Sequence, residues 1–204
     1  MKPVLTTLVC FFLSGWLQAA VPTPEMSMAL EFIKKDARKW TVAYQHGSEL
    51  GVVMELVPQG DNINEWKEMV AHQIAFTDVS VRAFVDVWKA GLEKSAPGSK
   101  VSEEPAKDGS IMVTYTARQA DEAGMRRFIK AHDGIYMLAY HVRPKLKDEK
   151  IFKLWQGILR EAYLVPNPVK GKKLRSGERT QANNRNISPA SPGRGLINIL
   201  ASSS

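Results

Sequence analysis

RRFIKAHDGIYMLAYHVR, residues 126–143, decides the fold. Two strand-like runs flank Asp133-Gly134, and an Asp-Gly pair in that setting predicts a two-residue type I′ hairpin, because both turn positions need positive φ. On this reading Arg126 to His132 pairs with Ile135 to Arg143, with His132 opposite Ile135 and His141 opposite Arg126. The second run, Ile135 to Val142, is apolar or aromatic on both faces, as a central strand covered on both sides should be. The domain therefore needs a layer on each side of its sheet.

Working outward, Asp108-Gly109 predicts a second hairpin of the same type, between Val101 to Lys107 and the alternating run Ser110 to Ala117, whose Ile111, Val113 and Tyr115 share a face. Trp40 to His46 and Leu50 to Val57 read as a strand pair around Gly47-Ser48. In NINEWKEMVAHQI, residues 62–74, Asn62 can cap and Glu65 can reach back, with Ile63, Trp66, Val70 and Ile74 at helical spacing, which predicts a helix. Ser80 followed by Val81, Phe84, Val85, Trp88 and Leu92 predicts another. After Pro144, Asp148 and Glu149 favour a helix start through the macrodipole, and Ile151, Leu154, Trp155, Ile158, Leu159 and Ala162 form the cleanest apolar stripe of the chain. The entry segment places Met26, Leu30, Ile33 and Ala37 on one helical face, although Ala29 to Ile33 also suits a strand. No βαβ alternation appears. The order predicts an α+β fold, an antiparallel β-sheet of about six strands built from hairpins and packed with helices.

The ends of the 204-residue chain read differently from its middle. Met1 and Lys2 precede an apolar stretch from Val4 to Leu17 without an acidic residue, and Ala19-Ala20 offers small residues for cleavage, so residues 1–20 read as a signal peptide. The stretch falls short of the ~20 residues that span a bilayer, and no transmembrane helix is expected in the mature chain. Cys10, the sole cysteine, lies inside that segment, so thiol catalysis and thiolate metal sites are not expected after export. The expected location is periplasmic or secreted.

Of the net charge of +7, an excess of five belongs to residues 171–204, where Lys172, Lys173, Arg175, Arg179, Arg185 and Arg194 face only Glu178. Residues 21–170, read as a single domain, are nearly neutral. A nucleic-acid-binding fold would carry its basic patch on folded elements, so no nucleic-acid partner is expected. The tail is too polar to offset its ordering entropy and reads as disordered until the apolar run Leu196 to Leu200; a solvated extension without a specific role is the favoured reading, and weak contact with anionic envelope surfaces is the role its charge would suit.

The strand pair followed by VPQGDNINEWKEMV, the hairpins with DGIYMLAYHVR, and the closing helix IFKLWQGILREAYLVPNP together resemble small secreted bacterial proteins of unassigned role. In element order the chain is similar to the PsbP/Mog1-like α/β/α sandwich over roughly Trp40 to Pro168, and it shares a Trp-x-Glu-Met phrase at Trp66, Glu68 and Met69. Members of that fold are mostly accessory or binding proteins, which the resemblance implies here without transferring any site residue.

Motifs for chemistry are sparse. G-x-S-x-G, G-x-x-x-x-G-K-[ST], H-E-x-x-H and G-x-G-x-x-G do not occur in the sequence. No cofactor and no metal are expected, and His132 and His141 lie too far apart along their hairpin to share an ion. The most site-like group is Trp66, Glu68 and His72, in which a carboxylate and an imidazole four apart on one helix face could move a proton. A core tryptophan beside a solvated Glu-His pair explains the same residues. Tyr136 and Tyr140, with Tyr115, could line a ligand cleft or simply pack across strands. Arg126 and Arg127 could hold an anion, with surface charge as the alternative. Two functional classes follow: a non-catalytic binding or assembly module of the bacterial envelope, taking an unknown envelope protein or small ligand, and an envelope hydrolase drawing on Glu68 and His72. The first is favoured, because the scaffold concentrates no polar chemistry.

Overall fold

The computed structural model describes Met26–Met28 and residues 30–166. The expected signal peptide and basic tail lie outside the described residues. The chain runs through β1 (Met26–Met28), a 3-10 helix (Leu30–Lys35), β2 (Trp40–Ser48), β3 (Gly51–Pro58), β4 (Glu68–Ala75), α1 (Val81–Ser95), β5 (Lys100–Pro105), β6 (Ile111–Ala117), β7 (Glu122–Ala131), β8 (Gly134–Val142), α2 (Glu149–Glu161) and β9 (Leu164–Pro166). Seven strands form one sheet in the order β2-β3-β4-β8-β7-β6-β5, and every neighbouring pair is antiparallel. β1 and β9 pair separately. The entry segment is thus a short strand and a 3-10 turn.

The seventh strand is β4, where the sequence predicted a helix. Its capping signal is real but local: Asn62 Oδ1 accepts from Asn64 N at 3.0 Å, and Glu65 N donates to Asn62 O at 3.1 Å. One turn is all that results, because Glu68–Ala75 is sandwiched between β3 and β8 and its backbone groups are consumed in two ladders. The apolar residues satisfy period two as readily as 3.6. Val70 and Ile74 face one side, Met69, Ala71 and Ala75 the other, and long-range pairing outweighs the local helix start.

All nine residues of β8 are buried, as its two apolar faces require. Tyr136, Leu138, Tyr140 and Val142 pack with Val70, Ile74 and Met125 under Phe152, Trp155, Ile158 and Leu159 of α2. Ile135 and Met137 pack on the opposite side with Ile111, Val113 and Phe128 under Phe84, Val85, Trp88 and Leu92 of α1. The result is helix, sheet, helix. Both helices are capped: Ser80, the expected start of α1, accepts from Ala83 N, and Asp148, expected only to favour the α2 dipole, also caps it by accepting from Lys150 N and Ile151 N. A smaller cluster of Val57, Trp66 and Met69 extends the α1 side beyond the helix.

Both turns differ from a simple Asp-Gly hairpin. At the first, Gly109 N donates to Ala106 O and Ala106 N to Ser110 O, and Gly109 alone takes a positive φ of 79°. That is a type I turn closed by a glycine bulge, which Asp108 supports by accepting from Ser110 N and Ser110 Oγ. At the second, Ala131 pairs with Gly134, so the turn residues are His132 and Asp133 and the register moves by two. His141 consequently faces Gly124 and Arg126 faces Ala139. A shift of two keeps every side chain on its face.

Candidate functional site

The five residues singled out by sequence do not converge. Glu68 and His72 share a strand face, four residues or about 13 Å apart at the strand rise, and Trp66 lies in the loop before β4, packed on the opposite side. No Glu68–His72 pair forms. Glu68 instead joins Tyr140, whose Oη donates to Glu68 Oε2 at 2.7 Å. Arg38 Nη1 donates to the same oxygen at 2.7 Å and forks onto Asp36, which also accepts from Trp155 Nε1 at 3.0 Å. Tyr140 stacks on Trp155 with centroids 5.1 Å apart, Trp40 meets Trp155 edge-on, and Arg38 lies over Trp40. This assembly fastens the entry segment to the sheet and α2. Burial acts to raise the Asp36 carboxyl, but the Arg38 guanidinium outweighs it and holds it lowered. Burial and the adjacent Glu68 raise the Tyr140 phenol, keeping it a donor.

His72 and Tyr136 are neighbours with ring centroids 6.5 Å apart, and Tyr136 Oη donates to Asp133 Oδ2 at 2.8 Å. The His72 ring is half-buried, but its Nε2 is shut off from solvent and makes no hydrogen bond. Burial lowers its pKa to about 4, so it is neutral at physiological pH.

The densest polar cluster was missed by sequence reasoning. Tyr115 from β6, Glu122 from β7 and His141 from β8 meet on the α1 side, all no more than 3% exposed. His141 Nδ1 lies 2.8 Å from Glu122 Oε1 and 2.6 Å from Tyr115 Oη, and Tyr115 Oη also donates to Glu122 Oε1. Burial acts to raise the Glu122 carboxyl, but the charge and hydrogen bond of His141 prevail and lower it. Burial and the Glu122 charge push the Tyr115 phenol well up. Glu122 is therefore the ionised acceptor and Tyr115 the donor. Gly124 makes room for the cluster: a Cβ there would stand 2.5 Å from Tyr140 O and 3.2 Å from Tyr115 Oη.

Beside this cluster, Arg126 Nη1 donates to Gln73 Oε1 at 2.8 Å, and its guanidinium lies over Trp88 at 5.4 Å. Trp66 closes the outer side, edge-on to His141 at 6.5 Å, with Arg143 over its indole at 4.2 Å. Arg127 caps the end of α2 by donating to Leu159 O and Arg160 O and pairs with Asp108. Neither Arg126, 1% exposed, nor Arg127, 7% exposed, is a surface charge; Arg127 is consumed by protein acceptors, whereas Arg126 donates through Nη1 to Gln73 and its buried Nε makes no hydrogen bond among the described residues. The cluster could pass a proton among its own members, but its walls leave a substrate no approach in this conformation. The only hints in the sequence were a polar residue on each of three adjacent strands, and their meeting depends on the β7–β8 register.

Among the described residues, no group of three or more His, Cys, Asp or Glu is arranged to hold a metal ion. An open cleft of about 380 Å³ lies between the two hairpin turns and the end of α2, with Ile129 and Leu164 on its floor and Asp108, Lys130, His132 and Tyr163 around it. Asp108 is already engaged by Arg127 and Ser110, and Lys130 Nζ donates to Thr77 O at 2.8 Å.

The sheet's two edges contrast. β5 carries Lys100, Glu103, Glu104 and Pro105; Glu103 is paired with Arg82 and Lys89, and Glu104 with Arg160. β2 has nine residues, WTVAYQHGS, without Lys, Arg, Asp, Glu or Pro, and among the described residues it has a strand partner on one side only. Val42 at its middle is 54% exposed. No protein-family model matches the chain, and no curated protein matches it in sequence.

Proposed function

We propose that the chain is an exported, non-catalytic binding or assembly module of the bacterial envelope, working by accepting an extra strand along β2. The bare β2 edge carries this reading. An unpaired row of backbone donors and acceptors is a template for strand addition, and soluble proteins normally blunt such edges with charge, proline or cover. β5 is blunted with charge and proline, whereas β2 carries neither and departs from a straight edge only at the Ala43 bulge. The side chains able to do chemistry support the same reading: Glu122, His141 and Tyr115 are committed to one another inside the α1 layer, and Glu68 to Arg38 and Tyr140. The hydrolase alternative has less to stand on, since Glu68 and His72 do not meet. Export rests on residues 1–20, and the resemblance to PsbP/Mog1-like accessory proteins favours a binding role.

The test is photo-crosslinking in a bacterial host that expresses the full chain, with the crosslinker at Val42 or Gln45 on one edge and at Ser102 on the other. Crosslinks from β2 alone, in the periplasmic or secreted fraction, are expected. Products from β5 or from the cleft at Tyr163 without any from β2 would overturn the strand-addition reading, and a cytoplasmic chain with Met1 intact would overturn export.

A further inference from the structure

We infer that the strand β2 accepts is β2 of a second copy, paired antiparallel about a twofold axis near Ala43 and Tyr44. This inference rests on the strand-addition reading and adds the identity of the partner. Two independent observations lead to it.

The first is the bulge. The register of β2 against β3 shifts between Val42 and Tyr44, leaving Ala43 as the extra residue at the middle of the edge. A bulge discourages an ordinary straight strand from pairing there, because the backbone twists and its outward groups change phase. An identical strand related by a twofold axis at that point brings an identical bulge to the same place, so the ladder resumes in phase on both sides. A partner bulged at the matching place fits without further adjustment, and a second copy meets that condition.

The second is the charge pattern. An isologous antiparallel pair sets each residue opposite the one equally far on the other side of the axis, so a charge at the axis would face its own copy and flanking charges face their mirror positions. β2 contains no Lys, Arg, Asp or Glu, and its one basic side chain, His46, falls opposite the uncharged Val42 of the other copy in a pairing about Tyr44. The nearest flanking charges beyond the strand's ends are Lys39 and Glu49, both exposed, each five residues from Tyr44 and opposite in sign. Pairing around Ala43 and Tyr44 brings Lys39 of one copy to the end where Glu49 of the other lies, at both ends of the interface. A partner of different sequence would gain nothing from this symmetry. The joined sheet would run through fourteen strands, two copies of the observed seven.

The test is sedimentation velocity of the purified chain at low salt over a wide concentration range, with Lys39→Glu, Glu49→Lys, the two combined, and Val42→Lys. All three positions are exposed, and unchanged melting curves verify that each variant folds. The wild type is expected to dimerise. Each single reversal turns two attractive end contacts repulsive and should weaken the dimer about tenfold or more, while the combined swap restores it. Val42→Lys, which sets an ammonium group opposite His46 of the other copy on each side of the axis and charges an edge otherwise free of Lys, Arg, Asp and Glu, should weaken it strongly. A wild type that stays monomeric at several hundred micromolar (about the upper practical range for a dissociation constant to matter) overturns the inference, as does a dimer that tolerates Val42→Lys or is not restored by the swap. The two readings separate cleanly: a monomeric chain that still crosslinks through Val42 to a protein of different mass keeps strand addition and rejects self-pairing, whereas a monomer without β2 crosslinks rejects both.

Discussion

His72 should make the domain sensitive to mild acid. Its folded pKa is about 4 against an ordinary value of 6.5, because burial disfavours the imidazolium and no carboxylate accepts from its Nε2. Between those values the unfolded chain binds a proton that the folded chain refuses, so the neutral ring's contribution is complete above pH ~7 and is lost as pH falls toward 4. At 1.36 kcal/mol per unit, the loss is about 2 kcal/mol by pH 5 and about 3 kcal/mol by pH 4. These are upper figures, because the ring itself is only half-buried. The measurement is urea unfolding of the wild type and His72→Leu at pH 7.5, 6, 5 and 4 (spanning the ~2.5-unit window). Other titrating groups are common to both proteins, so the difference isolates His72. The wild type should lose stability relative to the variant across this range; parallel pH profiles would refute the argument and show that the imidazole finds a proton acceptor in the folded chain.

Glu122→Gln removes the ionised acceptor shared by His141 Nδ1 and Tyr115 Oη, two buried hydrogen bonds to a charged group, and should cost about 3–5 kcal/mol in denaturant melts; a cost near zero would mean that a neutral acceptor serves there as well. Tyr115→Phe removes one donor while the pair persists, so a smaller loss of about 1–3 kcal/mol is expected in the same assay. Trp155→Ala should cost about 3–5 kcal/mol, since the indole is fully buried between Trp40 and Tyr140 and its loss also strips a donor from Asp36. Gly124→Ala drives a methyl against the Tyr140 carbonyl and should lower the melting temperature by several degrees, about what 1–3 kcal/mol gives in a domain of this size; an unchanged melt would show that the strands yield there.

Local chemistry was enough for every element whose pattern admitted one period. The α1 stripe Val81, Phe84, Val85, Trp88 and Leu92 is the buried face observed, with Ser80 as its cap, because five apolar residues at helical spacing over three turns suit no strand. The two-sided burial of β8, and through it the three-layer α+β arrangement, was legible for the same reason: a run apolar on both faces has nowhere to go but the centre. β4 was not legible. Val70 and Ile74 satisfy both periods, Asn62 offers a genuine helix start, and the choice is made by β3 and β8, whose open ladders no local signal records. The proposed site residues were misgrouped as a consequence, since a strand sets Glu68 and His72 far apart and turns Trp66 to the other layer. The Tyr115–Glu122–His141 cluster needs three strands in one register, and a residue's partners across a sheet are fixed by long-range pairing and turn geometry. Composition and periodicity therefore determine which segments are buried and what layers they build, while tertiary structure alone decides which polar side chains meet, because that depends on registers set by the whole sheet at once.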